Sequence, residues 1–219
     1  MFIHLPPPKF EELKCVTTSK GRWYTTPSGE KLASVTTILG HKPKPYLEEC
    51  RQSLGPKKAD KETERCSIRG DAVHLMSEHY LNNEVDFTKT HKTEHVQLFN
   101  QLKIRLNNIN NIRAQEIPLF SEELRIAGRA DCVGMFGGTL AIIDFKTSNN
   151  NKDDKMINDY KVQCCMYSLM WLEMFGEFIE DYVILIAVEK GAISQVFKGK
   201  VKDHITEATQ RIAEFYKKP

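Results

Sequence analysis

Apolar and polar positions change rhythm near Ala114. Before it, apolar residues recur at helical spacing among polar ones; after it, they gather in short runs separated by Gly and Asn. Pro6, Pro7 and Pro8 set an extended lead-in. Gly21 to Lys31, with Trp23, Tyr24, Pro27 and Gly29, predicts a small hairpin. Ser34 to Leu39 is a short apolar segment whose type the pattern leaves open. Pro45 to Leu54 predicts a short helix. Asp60 to Asn82 predicts a long one with Ile68, Ala72, Leu75, Met76, His79 and Tyr80 near one face. Glu94 to Leu106 is a third, ended by the Asn-rich tract Asn107 to Asn111.

Beyond Ala114 the pattern predicts strands at Ala114 to Ser121, Arg125 to Phe136 and Thr139 to Lys146, the last two joined at a Gly137-Gly138 turn. A polar loop leads to a helix over Ile157 to Phe175. A hairpin from Asp181 to Lys198 and an amphipathic helix over Asp203 to Tyr216 close the chain. The order implies an α/β class with a central mixed β-sheet flanked by helices. Residues 1–113 form a mainly helical N-terminal part, packed on an α/β core of residues 114–219 in one compact domain.

Composition adds little to this picture. The 219 residues are 41% hydrophobic and 27% charged, with a net charge of +2, ordinary for a globular protein. No apolar run reaches the roughly 20 residues of a membrane helix. A basic excess is absent, so any nucleic-acid surface must be a local basic rim. The six cysteines form no C-x-x-C pair and read as free thiols of a reducing compartment. No secretory signal or mitochondrial transit pattern opens the chain, and a cytoplasmic location in a bacterial or phage-infected host cell is expected.

The segment from Gly128 to Lys146 carries the chemistry. Residues i and i+2 of a strand share a face, so Asp144 and Lys146 project together while Ile143 and Phe145 point to the apolar side. Asp131 and Asp144 each lie six residues from the Gly137-Gly138 turn, which brings them opposite one another. Two carboxylates and an ammonium at one place suit phosphodiester hydrolysis: carboxylates hold a hard cation such as Mg²⁺ or Mn²⁺, and lysine orients water or stabilises developing charge. An isolated D-x-K is more often a solvated strand edge. Here Asp144 ends the apolar run Leu140 to Ile143, where a charge is harder to dismiss.

The stretch GRADCVGMFGGTLAIIDFKTS resembles motifs II and III of RecB-type nucleases of the PD-(D/E)xK superfamily, with Ala130 in place of the named proline. It is similar to the mitochondrial genome maintenance exonuclease and its phage relatives. Three further segments fit that likeness: Arg69 to His74 as a helical RG-x-x-x-H, Gln163 and Tyr167 as Q-x-x-x-Y, and Ser34 to Leu39 as the S-V-T segment. The resemblance implies a restriction-endonuclease-like core and a Mg²⁺- or Mn²⁺-dependent deoxyribonuclease. It implies an exonuclease favouring single-stranded DNA ends in replication, recombination or repair, with possible partners in that machinery. Lys146, Asp144, Asp131, Gln163 and Tyr167 would be catalytic. His74, Asp131, Asp144 and the Phe145 carbonyl would hold metal. Arg69, Thr147, Ser148, Gln163, Tyr167, Lys152 and Lys155 would bind substrate. The Fe–S members carry cysteines near the C-terminus; none follows Cys165 here, so no Fe–S cluster is expected.

Read from the residues alone, His74 is equally a satisfied core or surface histidine. Gln163 and Tyr167 are equally a packing pair four apart on a helix. Some members of the superfamily place a glutamate on the strand before Asp131, a place open to Glu116 more than to Glu123; from the residues alone each reads as a solvated strand residue. Lys42, Lys44, Lys57, Lys58, Lys61, Lys198, Lys200 and Lys202 are further basic candidates. Trp23, Tyr24 and Tyr46 could stack on bases or pack an N-terminal layer. Two other functions fit the same motifs: a structure-selective endonuclease on this fold, and a non-catalytic DNA-binding module.

Overall fold

The computed structural model describes residues 1–42 and 45–217, without the side chains of residues 45–47 and 50. Tyr46 and Lys44 therefore fall outside the described side chains. Eight strands form one sheet: β1 (Lys14–Thr18), β2 (Gly21–Thr25), β3 (Lys31–Ser34), β4 (Ile109–Ser121), β5 (Ile126–Phe136), β6 (Thr139–Ser148), β7 (Asp181–Val188) and β8 (Gln195–Lys200). The helices are α1 (Val35–Gly40), α2 (Pro45–Leu54), α3 (Pro56–Leu81), α4 (Thr93–Leu106), α5 (Asn158–Phe175) and α6 (Ile205–Lys217). No described helix is long and apolar enough to cross a membrane.

The expected mixed sheet is present. β6 and β7 are parallel, joined by the α5 crossover, and β7 is buried from Tyr182 through Val188, as a strand covered on both faces requires. On one face α5, α6 and α1 pack with Ile142, Ile184 and Ile186. On the other, α3 and α4 pack with Ile143, Phe145 and Leu185. The α5 helix is buried continuously from Lys161 to Ser168. It ends on Gly176 at φ 71°, whose N–H bonds Leu172 O at 2.8 Å.

Several elements differ from the pattern-based expectation. The long helix begins at Pro56, a favoured first-turn proline after Gly55. Its inward face holds Arg69, Val73, Met76 and Ser77, whereas Ile68 and Leu75 are exposed. Ala72, Met76 and Tyr80 of the expected face do pack inward; the buried face is rotated toward Arg69, which an apolar count leaves out. The Asn tract does not only end α4: Asn110 and Asn111 lie in β4, just after its first residue Ile109, where the register shifts and Asn111 takes φ 45°. Ser34 to Leu39 resolves into α1, capped by Ser34, whose Oγ accepts from Thr37 N at 3.0 Å.

Topology makes an opening in the sheet. β4 pairs along β5 on one edge. The other edge of β5 is shared: β3 takes Ile126 and Ala127, and β6 takes Cys132 to Phe136. Gly128 to Ala130 pair only with β4. Beyond Ile143, β6 pairs only with β7. The sheet forks just past the Cys132–Ile143 pair.

Candidate active site

Continuing the register past Cys132 and Ile143 sets Asp131 across from Asp144, at the first position where the two strands part. A side chain fills the place of the missing ladder bond: Phe145 N donates to Asp131 Oδ2 at 2.7 Å. Asp144 is 1% exposed. Its Oδ1 accepts from Lys146 Nζ at 2.6 Å and from Gln163 Nε2 at 3.2 Å. Gln163 Nε2 also donates to Tyr167 OH at 3.0 Å. The four-residue spacing on α5 thus aims both side chains at the end of β6.

Gly128 explains how Tyr167 reaches this place. A Cβ there would lie 2.7 Å from Tyr167 Cε1 and 3.5 Å from Val35 Cγ2. The bare backbone in the fork lets the ring lie close, and α1 closes over it.

A second group gathers from the opposite side. His74 on α3 places Nδ1 3.5 Å from Asp131 Oδ1. Its ring meets Phe145 edge-on at 6.1 Å. Glu116 on β4 lies opposite Asp131, between the pairs Gln115–Cys132 and Ile117–Ala130. Donor atoms of His74, Glu116 and Asp131 lie within 4.8 Å of one another. The strands expected at Ala114 to Ser121 and Arg125 to Phe136 form the β4–β5 hairpin, and its register brings Glu116 beside Asp131. Sequence reasoning does not find Tyr160, whose ring lies 5.2 Å from Lys146 Nζ.

The electrostatics follow from burial and like charge. Burial, then Asp131, raises the Asp144 carboxyl to about 6, with Lys146 opposing. Burial, then Asp131, raises Glu116 to about 7. Burial also works against the charge of Lys146, but Asp144 and Asp131 outweigh it and hold the ammonium above its ordinary range. Burial likewise opposes charge on Asp131 and on His74. Each offsets it for the other, so Asp131 titrates low and His74 high. Burial pushes the Tyr167 phenol far up, so it stays an O–H donor.

These donors fit a divalent cation. Asp144 Oδ2 is buried with no hydrogen-bond partner, and a cation is what such an acceptor beside a second carboxylate requires. Carboxylate oxygens and one imidazole suit Mg²⁺ or Mn²⁺.

The remaining candidates spread around this centre. Arg69 is 3% exposed. It donates to Glu189 Oε2 at 2.7 Å, Asn149 Oδ1 at 2.6 Å and Thr147 Oγ1 at 3.2 Å. It therefore braces α3 against the ends of β6 and β7. Ser148 Oγ donates to Asn150 O at 2.7 Å and shapes the turn. Lys152 is half-buried and Lys155 exposed in the loop after β6. Trp23 packs toward Phe215, and Tyr24 is buried beneath β1 to β3. Lys42 pairs with Glu214, Lys200 with Asp181, and Lys198 lies over Phe136.

A family model described as the PD-(D/E)XK nuclease superfamily matches residues 56–215, and the chain belongs to that superfamily. It is accordingly a metal-dependent nuclease whose substrate is nucleic acid. Comparison with curated proteins returned no match. Among solved structures, the one titled "Crystal structure of SSO0001" is similar at 16% identity and a TM-score of 0.42. The match covers 85% of this chain and 76% of that one.

Proposed function

We propose that this nuclease is a Mg²⁺- or Mn²⁺-dependent DNA exonuclease, of the RecB-type and phage-exonuclease kind, acting on single-stranded ends in replication, recombination or repair. The observation that carries the chemistry is the buried Asp144, bonded through one oxygen to Lys146 and Gln163 and left unpartnered at the other. His74, Asp131, Asp144 and the Phe145 carbonyl would hold the cation, which supplies Lewis acidity and an activated water when bound.

The chain's own residues do the rest. Lys146 stays protonated, and its ammonium orients the attacking water and meets charge developing on the phosphoryl oxygens. Gln163 fixes Asp144 Oδ1, which leaves Oδ2 toward the cation. Tyr167 accepts from Gln163, so its own O–H is available to a phosphate oxygen. Arg69 and Thr147 keep β6 in place, and Lys152 and Lys155 offer a phosphate-tracking rim.

The preference for ends draws support from α2 and the first turns of α3. The described side chains of α2 are exposed, and so are Lys57, Lys58 and Lys61 in the first turns of α3. α2 packs chiefly against α3. A basic helical arm of this kind, if it borders the path of the strand, would admit a free end and exclude a closed circle. The bacterial or phage setting and any replication partner belong to the same reading. Digestion of end-labelled linear and covalently closed circular single strands, with Mg²⁺ or Mn²⁺, tests it. Linear strands should be degraded and circles spared; equal cleavage of both would establish an endonuclease instead.

A further inference from the structure

Lys146 is held by few contacts for a residue at the centre of the site. Its Nζ donates to Asp144 Oδ1 at 2.6 Å, and Asp144 is its one acceptor among the described residues. The side chain is 19% exposed, so the ammonium stands at the margin of the fork. A lysine carries a point charge on a flexible four-carbon stem. When the ammonium leaves Asp144 to meet a phosphoryl oxygen, no hydrogen bond to the protein keeps it in place.

The Tyr160 ring supplies a second hold. Lys146 Nζ lies over its face, 5.2 Å from the centroid, within the roughly 6 Å over which a ring quadrupole attracts an ammonium. Tyr160 sits in the first turn of α5, where its N–H donates to Ile157 O at 2.9 Å. Its half-buried side chain packs against the core on the α5 side of the sheet. Gln163 follows three residues later, so the two are neighbours on the helix surface. One helix thus meets both members of the ion pair, Gln163 at Asp144 and Tyr160 at Lys146.

A ring suits this place better than a second carboxylate. A carboxylate would bind the ammonium in one direction and compete with the phosphate for it. A π face attracts the charge over a broad range of angles, so the three N–H donors of the ammonium stay free to turn between Asp144, water and phosphate.

We infer that Tyr160 is a positioning residue of the nuclease, whose ring face holds the Lys146 ammonium within reach of both Asp144 and the phosphoryl oxygen under attack. The inference rests on the proposed role of Lys146 in cleavage.

The test is single-turnover cleavage of a saturating labelled oligonucleotide with Mn²⁺, beside oligonucleotide binding in chelator and thermal melting. Tyr160→Leu should cut about 5- to 30-fold more slowly, which corresponds to roughly 1–2 kcal/mol, with oligonucleotide binding unchanged. Tyr160→Phe, which keeps the ring, should recover the rate. Replacing Tyr160 by phenylalanines that bear one, two and three ring fluorines should then slow cleavage step by step, because fluorine withdraws charge from the face and leaves the packing nearly as it was. That series also covers the case in which Tyr160→Leu fails to fold. In a Lys146→Ala background, Tyr160→Leu should cost nothing further. A rate indifferent to fluorine, or an equal loss from Tyr160→Leu with and without Lys146, would overturn the inference and leave Tyr160 to packing. Weaker oligonucleotide binding with an unchanged saturated rate would overturn it in favour of base stacking. Lys146→Ala cutting at the wild-type rate would remove the role of Lys146 and that of Tyr160 with it. Slow cleavage by Lys146→Ala beside no response to fluorine would remove Tyr160 alone.

Discussion

The two flanks of the fork are built differently. On the α5 flank, Asp144, Lys146, Gln163 and Tyr167 form a chain of hydrogen bonds with one acceptor left over. On the α3 flank, His74, Glu116 and Asp131 come from three separate elements, and only Asp131 has a close hydrogen bond, to the Phe145 N–H. The first flank is fixed before anything binds; the second needs something to complete it. Preorganised donors stabilise charge without reorganising, whereas loosely satisfied donors gain most from a cation. Under the proposed function, the difference divides the labour of phosphodiester hydrolysis between the two flanks of the fork.

The sharpest way to break the comparison is to remove the ammonium from the fixed flank. Lys146→Ala should lower the rate of cleavage by about 10³-fold, roughly 4 kcal/mol, as loss of one preorganised charge-stabilising donor does. Mn²⁺ binding should persist, since Lys146 contacts Asp144 and donates nothing to a cation. Single-turnover cleavage beside a Mn²⁺ titration measures both. Full activity in Lys146→Ala would remove it from the chemistry.

Gly128→Ala tests the same flank through packing. The new methyl would meet the Tyr167 ring at 2.7 Å, between buried Val35 and α5. Overpacking of this kind costs about 1–3 kcal/mol. The expected outcome is a lower melting temperature together with slower cleavage, because Tyr167 is displaced from Gln163. Mn²⁺ binding on the α3 flank should change least. A variant that melts lower yet cleaves at the wild-type rate would show that the close approach matters to packing alone.

The two flanks also differ in how much of them was legible in the sequence. Strand parity and a glycine turn are local, so Asp131, Asp144 and Lys146 could be set together from spacing. Gln163 and Tyr167 come from the resemblance, to which the helical repeat adds only that they share a face. The α3 flank depends on contacts across about 40 to 60 residues of chain, which periodicity does not encode. His74 entered only through resemblance. The face expected for its helix includes the exposed Ile68 and Leu75 beside the buried Met76, and leaves out the buried Arg69, which Glu189 holds at the end of β7. Glu116 reads as solvated in the sequence because a carboxylate in a strand ordinarily faces water, and its φ of 45° is not written in residue type. The sheet was legible from β4 onward because its central strands are continuous apolar runs. The β1 edge strand was not, because Lys14 to Thr18 is exposed throughout.

The smallest effect expected sharpens the comparison most directly, because it measures the incomplete flank without any reaction. In metal-free protein Glu116 titrates at about 7, from an ordinary value of 4.5. Between those limits the folded chain holds a proton that the unfolded chain has lost, so stability falls as pH rises. Below about pH 4.5 both states are protonated and the group is neutral in its effect; above about pH 7 the full penalty applies. Glutamine carries no such dependence. With chelator present, Glu116→Gln should gain on wild type as pH climbs from 5 to 8. Screening at this half-buried position limits the gain to about 1 kcal/mol, or roughly 2–4 °C in melting temperature. A difference between the two chains that stays constant across this pH range would mean that the Glu116 carboxylate is solvated and the α3 flank is no less settled than the α5 flank.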